Sequence, residues 1–183
     1  MTGKLVYLVE GGETVSEDTL DEQQIRLIET YSDMVYQMAY SLLKNPYDAE
    51  DIHQEVFVRY ICKQPVFENP DHERAWFLRV TINLAKNFWK TAWYRKVGRF
   101  LDEGLEQLEM IPEEVTDPRE KQIVELVGKL PLKYRAVIHL FYEEELSVEE
   151  IANLLKRKPS TVRTQLTRAR SKLREWMKEE EDV

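Results

Sequence analysis

Apolar residues spaced three and four apart, cut by prolines and asparagines, constrain this chain more than any other feature. Ile28, Tyr31, Val35, Met38 and Leu42 line one face of a helix over about Asp21 to Leu43. Asn45-Pro46 breaks it. A second helix runs from about Tyr47 to Cys62, with Ile52, Val56 and Tyr60 inward. Pro65, Asn69 and Pro70 mark residues 63–70 as a loop, and a long helix follows from about Asp71 to Lys96 with Phe77, Val80, Leu84 and Phe88 at helical spacing. Helical spacing resumes over Asp117 to Leu130, breaks at Pro131, and resumes over Lys133 to Glu143 through Tyr134, Val137, Ile138 and Phe141. The expected fold class is all-α, with two small helical domains joined by a flexible acidic linker. A three-helix domain covers 21–97, a linker 98–118 and a second helical domain 119–178. An N-terminal extension (1–20) with a β-like run at Lys4 to Val9, and a frayed acidic tail (179–183), complete the chain.

Charge is segregated along these elements. The 183 residues hold 26 Lys+Arg and 34 Asp+Glu, a formal net charge of −8, yet residues 74–99 carry Arg74, Arg79, Lys86, Lys90, Arg95, Lys96 and Arg99 and no acid. A second basic block spans 156–178, with Glu175 as its one acid. Between them the linker carries Asp102, Glu103, Glu106, Glu109, Glu113, Glu114 and Asp117. Two basic blocks on one chain suggest two polyanion-binding surfaces. About 20 extended linker residues reach at most roughly 70 Å, or on the order of two DNA turns. The single cysteine, Cys62, rules out an internal disulfide framework, and the early apolar run Leu5 to Val9 is too short for a signal or a span. We therefore expect a reducing, cytoplasmic setting without membrane insertion.

The most informative local pattern lies at 147–178. Ser147 with Glu150 reads as a capping box, and Ile151, Leu154 and Leu155 supply a buried face behind it. Lys156 to Pro159 is a short turn, Ser160 is a candidate cap, and Val162, Leu166, Ala169, Leu173 and Trp176 form an inward stripe. The outward face carries Arg163, Thr164, Thr167, Arg168, Ser171, Lys172 and Arg174. Two helices joined by a tight turn, the second basic and outward-reading, make a helix-turn-helix for the major groove. Arg163 and Arg168 suit guanine or phosphate, and Thr164 and Gln165 suit base edges.

The order of these parts resembles a known family. Asp48-Ala49-Glu50-Asp51-Ile52-His53-Gln54-Glu55-Val56-Phe57 resembles the region 2.2 signature of bacterial sigma factors, and Ala75 to Ala85 resembles their promoter-melting helix. Leu130 to Val137, Leu146 to Ala152 and Thr161 to Arg170 resemble region 4. With regions 2 and 4 alone, the chain is similar to extracytoplasmic-function (group IV) sigma factors of the sigma-70 family. The resemblance implies a non-enzymatic initiation subunit, free of metal and cofactor and monomeric when alone. Its partners would be core RNA polymerase (the β′ clamp helices and β flap), promoter DNA and an anti-sigma factor.

The resemblance also distributes roles. Asp48, Asp51, Gln54, Glu55 and Phe57 would dock on polymerase. Phe67, Asn69, Arg79, Asn83, Lys86, Asn87, Lys90 and Trp93 would engage the −10 element, and Ser160, Thr161, Arg163, Thr164, Thr167, Arg168 and Lys172 the −35 element. Trp76 is expected in the core, whereas Trp89, Trp93 and Tyr94 are candidates for unstacked bases. Three departures stand out: Asn87 where the family usually has Asp, and Lys156 and Ser160 where glycines are frequent. An operator-binding regulator would explain 119–178 but leave Asp48 to Phe57 without a purpose. A di-iron reading from Glu50 and His53 lacks its second Glu-x-x-His.

Overall fold

A computed structural model describes residues 6–8, 14–16, 21–98 and 118–181, with side chains described within 21–91 and 122–179. Two short antiparallel strands, β1 (Val6–Leu8) and β2 (Thr14–Ser16), pair Tyr7 with Val15, and β1 lies alongside helix α2. The β-like run is therefore one arm of a hairpin beside an otherwise helical protein. The linker segment 99–117 lies outside the described residues.

Helix α1 (Glu22–Leu43) starts where Asp21 accepts from the Gln24 amide at 2.8 Å and Gln24 accepts in return from the Asp21 amide at 3.1 Å. This reciprocal cap satisfies two amides that the helix itself leaves open. The helix ends at Lys44, in left-handed conformation with φ 58°. Asn45 then caps α2 (Pro46–Lys63), with proline at the first helical position where no amide is needed. Asn69 accepts from the His72 amide at 2.9 Å and starts α3 (Pro70–Gly98).

These three helices close around Leu27, Val35, Met38, Leu42, Val56, Phe57, Phe77 and Leu78, all without exposed surface. Phe77 is the hub: Tyr31, Trp76, Tyr60 and Phe57 lie 4.8, 5.1, 5.4 and 5.5 Å away between ring centres. Burying each such side chain contributes about 1.5–3 kcal/mol. Trp76 belongs to this cluster, as expected from sequence. His53 is buried beside it, its Nε2 2.8 Å from the Ser32 hydroxyl, and burial pulls its pKa below the ordinary value despite Glu50 and Asp33.

The second unit comprises α4 (Pro118–Lys129), α5 (Leu132–Tyr142), α6 (Val148–Leu155) and α7 (Pro159–Glu181). Its core holds Leu126, Leu130, Val137, Leu140, Ile151, Val162, Leu166 and Ala169. The Ser147–Glu150 capping box is present, with bonds of 3.2 and 2.8 Å. Lys156 ends α6 in left-handed conformation, φ 52°. Ser160 is not the cap of the next helix: α7 begins one residue earlier at Pro159, and the Lys158 carbonyl accepts from the Thr161 amide at 2.9 Å.

The two units pack against each other. Helix α1 lies on α5 and α3 touches α6, and buried residues of both units form one continuous apolar cluster. Gly128 on α4 permits a close approach here: a Cβ at that position would sit 3.3 Å from the Lys44 side chain. Lys44 passes over it to donate to the Val124 carbonyl at 3.3 Å.

Candidate polymerase and promoter surfaces

The outer face of α2 is open and acidic. Glu50, Asp51 and Gln54 are exposed, and Asp48 and Glu55 are half-exposed. Glu55 pairs with Arg59 at 2.6 Å and Gln54 donates to Glu50 at 3.4 Å, contacts worth only a few tenths of a kcal/mol at a surface. Asp48 sits in the first turn, where a carboxylate also favours the helix dipole. Phe57 is not part of this face. It has no exposed surface and packs edge-on to His53 and tilted against Phe77. Sequence reasoning did not single out Tyr47, at the start of α2, or Val66, in the loop after its end, which are 73% and 90% exposed.

The basic face of α3 is partly turned to the second unit. Arg74 reaches across to the second unit and donates to both the carbonyl and a carboxylate oxygen of Glu144, each at 2.7 Å. Glu144 is buried and also lies 3.3 Å from His139. Burial raises its pKa, but the bonds from His139 and Arg74 outweigh that and hold it below the ordinary value. One turn on, Arg79 donates to the Leu154 carbonyl at 3.4 Å. Lys86 is half-buried, and its pKa is lowered by burial and by the neighbouring cations Arg157 and Lys90.

Trp89 is a packing residue rather than a base-stacking one. Its indole donates to the Leu42 carbonyl at 3.3 Å, and the buried Arg135 guanidinium sits 5.7 Å over its ring. Asn83, Asn87 and Lys90 remain exposed. Phe67 is half-buried against Tyr60, Trp76 and Phe77, and Asn69 is engaged as the α3 cap. The side chains of Trp93 and Tyr94 lie outside the described residues.

The outer face of α7 is open. Ser160, Thr161, Arg163, Thr164, Thr167, Arg168 and Lys172 are all exposed. Arg163 pairs with Glu149 at 2.6 Å, both side chains 61% exposed. Thr164 donates back to the Ser160 carbonyl at 2.9 Å, and Lys172 lies over Trp176. Gln165 departs from expectation: it is half-buried and accepts from Arg157 at 2.7 Å, which takes it away from base edges. The stripe Val162, Leu166 and Ala169 faces inward, so the row from Thr161 to Lys172 can enter a major groove.

Comparisons with known proteins agree with this layout. The sigma-70 region 2 model matches residues 27–95 and the sigma-70 region 4 model matches residues 120–173. The ECF RNA polymerase sigma factor SigW of Bacillus subtilis is 33% identical, over 84% of this chain and 88% of its own length. The chain belongs to the ECF sigma factors. SigV of the same organism is 31% identical over 73% of this chain and 78% of that protein. Among solved structures, the sigma factor RpoE of Bartonella quintana, co-crystallised with the anti-sigma factor NepR, shares the fold. It has a TM-score of 0.71 and 21% identity, over 86% of this chain and 98% of that one. Proteins of this family direct RNA polymerase to promoters, and the region 2 match spans α1 to α3 while the region 4 match contains the helix-turn-helix of α6 and α7.

Proposed function

We propose that this chain docks on core RNA polymerase through the α2 face and carries it to promoters read at two elements. The observation that carries this reading is one chain presenting an open acidic face on α2 and an open basic face on α7. Asp48, Asp51, Gln54 and Glu55 would meet basic partners on the polymerase clamp. Thr161, Arg163, Thr164, Thr167, Arg168 and Lys172 would hold the −35 duplex. On α3, Arg79, Asn83, Lys86, Asn87 and Lys90 would engage the −10 strand, together with the loop around Phe67 and Asn69. Because Arg79 and Lys86 lie under the second unit, the two units must part before the −10 face can be used. The NepR complex supports control by an anti-sigma partner. The polymerase performs the catalysis, and the work is done in the cytoplasm.

Run-off transcription with purified core polymerase on a promoter library tests the reading. Discrete start sites that depend on added protein are expected. Operator binding with no start sites above core alone would instead support a regulator that does not join polymerase.

A further inference from the structure

Where the two units meet, they enclose a cleft that the initiation reading leaves without a role. Its main cavity, about 400 Å³, lies between α3 and the start of α5. A side chamber of about 130 Å³ shares Ile82, Lys86 and Leu155 with it. The floor is apolar: Leu42, Ile82, Leu132 and Leu155. The rim is cationic. Lys86, Lys133 and Arg157 line the cavity, Arg79 and Lys156 line the chamber, and among the described residues no Asp or Glu lines either. Lys86 and Arg157, both half-buried, come from different units, so closure brings these like charges together in a partly desolvated space, an arrangement that is unfavourable unless a counter-charge joins it. Among the described residues, no carboxylate lines the cleft to provide one. Arg79 is turned to a backbone carbonyl and Arg157 to the neutral amide of Gln165. Pro131 begins α5 at the same cavity and gives its first-turn amides no side-chain acceptor.

We infer that this cleft is a binding site for a small phosphate ester of nucleotide size. The flat apolar part would rest on Leu42, Ile82, Leu132 and Leu155, with phosphates held between Lys86 and Arg157. The volume lies within the ordinary range of roughly 300–1,000 Å³ for small-molecule sites and is far too small for a duplex. Occupancy bridges α3 to the second unit, so the ligand holds the closed form and keeps Arg79 and Lys86 from promoter DNA. The site exists only while the units are together.

The test is calorimetric titration of the full chain with ATP and, separately, with inorganic tripolyphosphate, at constant ionic strength because exposed charges are screened by salt. Saturable one-to-one ATP binding is expected, weakened at least about tenfold (1.4 kcal/mol) in Lys86→Gln/Arg157→Gln. Glu144→Arg, which keeps both cations but opposes Arg74, should lose binding as well. ATP should bind more tightly than tripolyphosphate because only it uses the apolar floor. The inference is overturned by absence of saturable binding, by unchanged binding in the double variant, or by full binding in an opened Glu144→Arg protein, which would place the anion on a free DNA-binding face. Equal affinity for tripolyphosphate would overturn the nucleotide assignment. Circular dichroism of each variant confirms folding. Neither polymerase nor promoter is present, so a negative result leaves the initiation reading standing, and failed run-off transcription leaves this one.

Discussion

Helices α2 and α3 are neighbours in one bundle and share one core, yet their outer faces meet different fates. The acidic face of α2 is open to any partner. On α3, Arg74, Arg79 and Lys86 are turned toward the second unit, two of them bonded to it. A charged helix face tells which side chains avoid the apolar core, but not whether solvent, nucleic acid or another domain will cover them. In the closed protein the α2 face is exposed while Arg79 and Lys86 on α3 are turned to the second unit, so under the proposed function docking comes first and uncovering second.

The comparison breaks most completely if the shared core fails. Phe77→Ala should cost about 3–5 kcal/mol, as a truncated buried aromatic does. Urea unfolding followed by circular dichroism would show it, and both faces should lose function together.

Asp51→Arg/Gln54→Arg comes next. Reversing charge at a complementary interface costs several kcal/mol, so affinity for core polymerase should fall roughly a hundredfold, while surface substitutions leave stability within about 0.5 kcal/mol. Fluorescence anisotropy with labelled protein measures both the loss and its absence in α7 variants. Arg168→Ala should cost about 1–3 kcal/mol at the −35 element without changing core binding; gel-shift of the holoenzyme on wild-type and −35-mutated promoters would read it.

Arg74→Ala sharpens the contrast from the other side. It leaves the buried Glu144 carboxylate short of its charged donor, worth about 1–3 kcal/mol, and should shift the protein toward the open form. Energy transfer between dyes on Cys62, which is exposed, and on a cysteine replacing Lys178 reports the separation. Acid should do the same. The Glu144 pKa is depressed in the folded protein from the ordinary 4.5. Its contribution to closure is therefore complete above pH 4.5 and is lost as pH falls through the lower folded value. The smallest effect is Lys156→Gly, which relieves a left-handed lysine and should stabilise by less than about 1 kcal/mol in thermal unfolding.

Much of this layout was legible in the sequence because it is local. The Ser147–Glu150 box, the Asn45-Pro46 break and the inward stripe of α7 are set by residues within a few positions of one another. Phe57 was misplaced because α2 buries a stripe two residues wide: Val56 and Phe57 both face in, and a signature read as a continuous string hides that. The sequence left Gln165 and Trp89 open between contacting nucleic acid and packing, because their partners, Arg157 and Arg135, are set by how the elements come together. The joining of the units was illegible in principle. Arg74 and Glu144 are 70 residues apart, across a linker whose charge pattern says nothing of where its ends come to rest.

The most direct measurement follows dye separation between Cys62 and position 178 while core polymerase is added. The account predicts a drop in energy transfer that saturates with polymerase binding and is absent in Asp51→Arg/Gln54→Arg. Unchanged transfer in a complex that still initiates from promoters would contradict it.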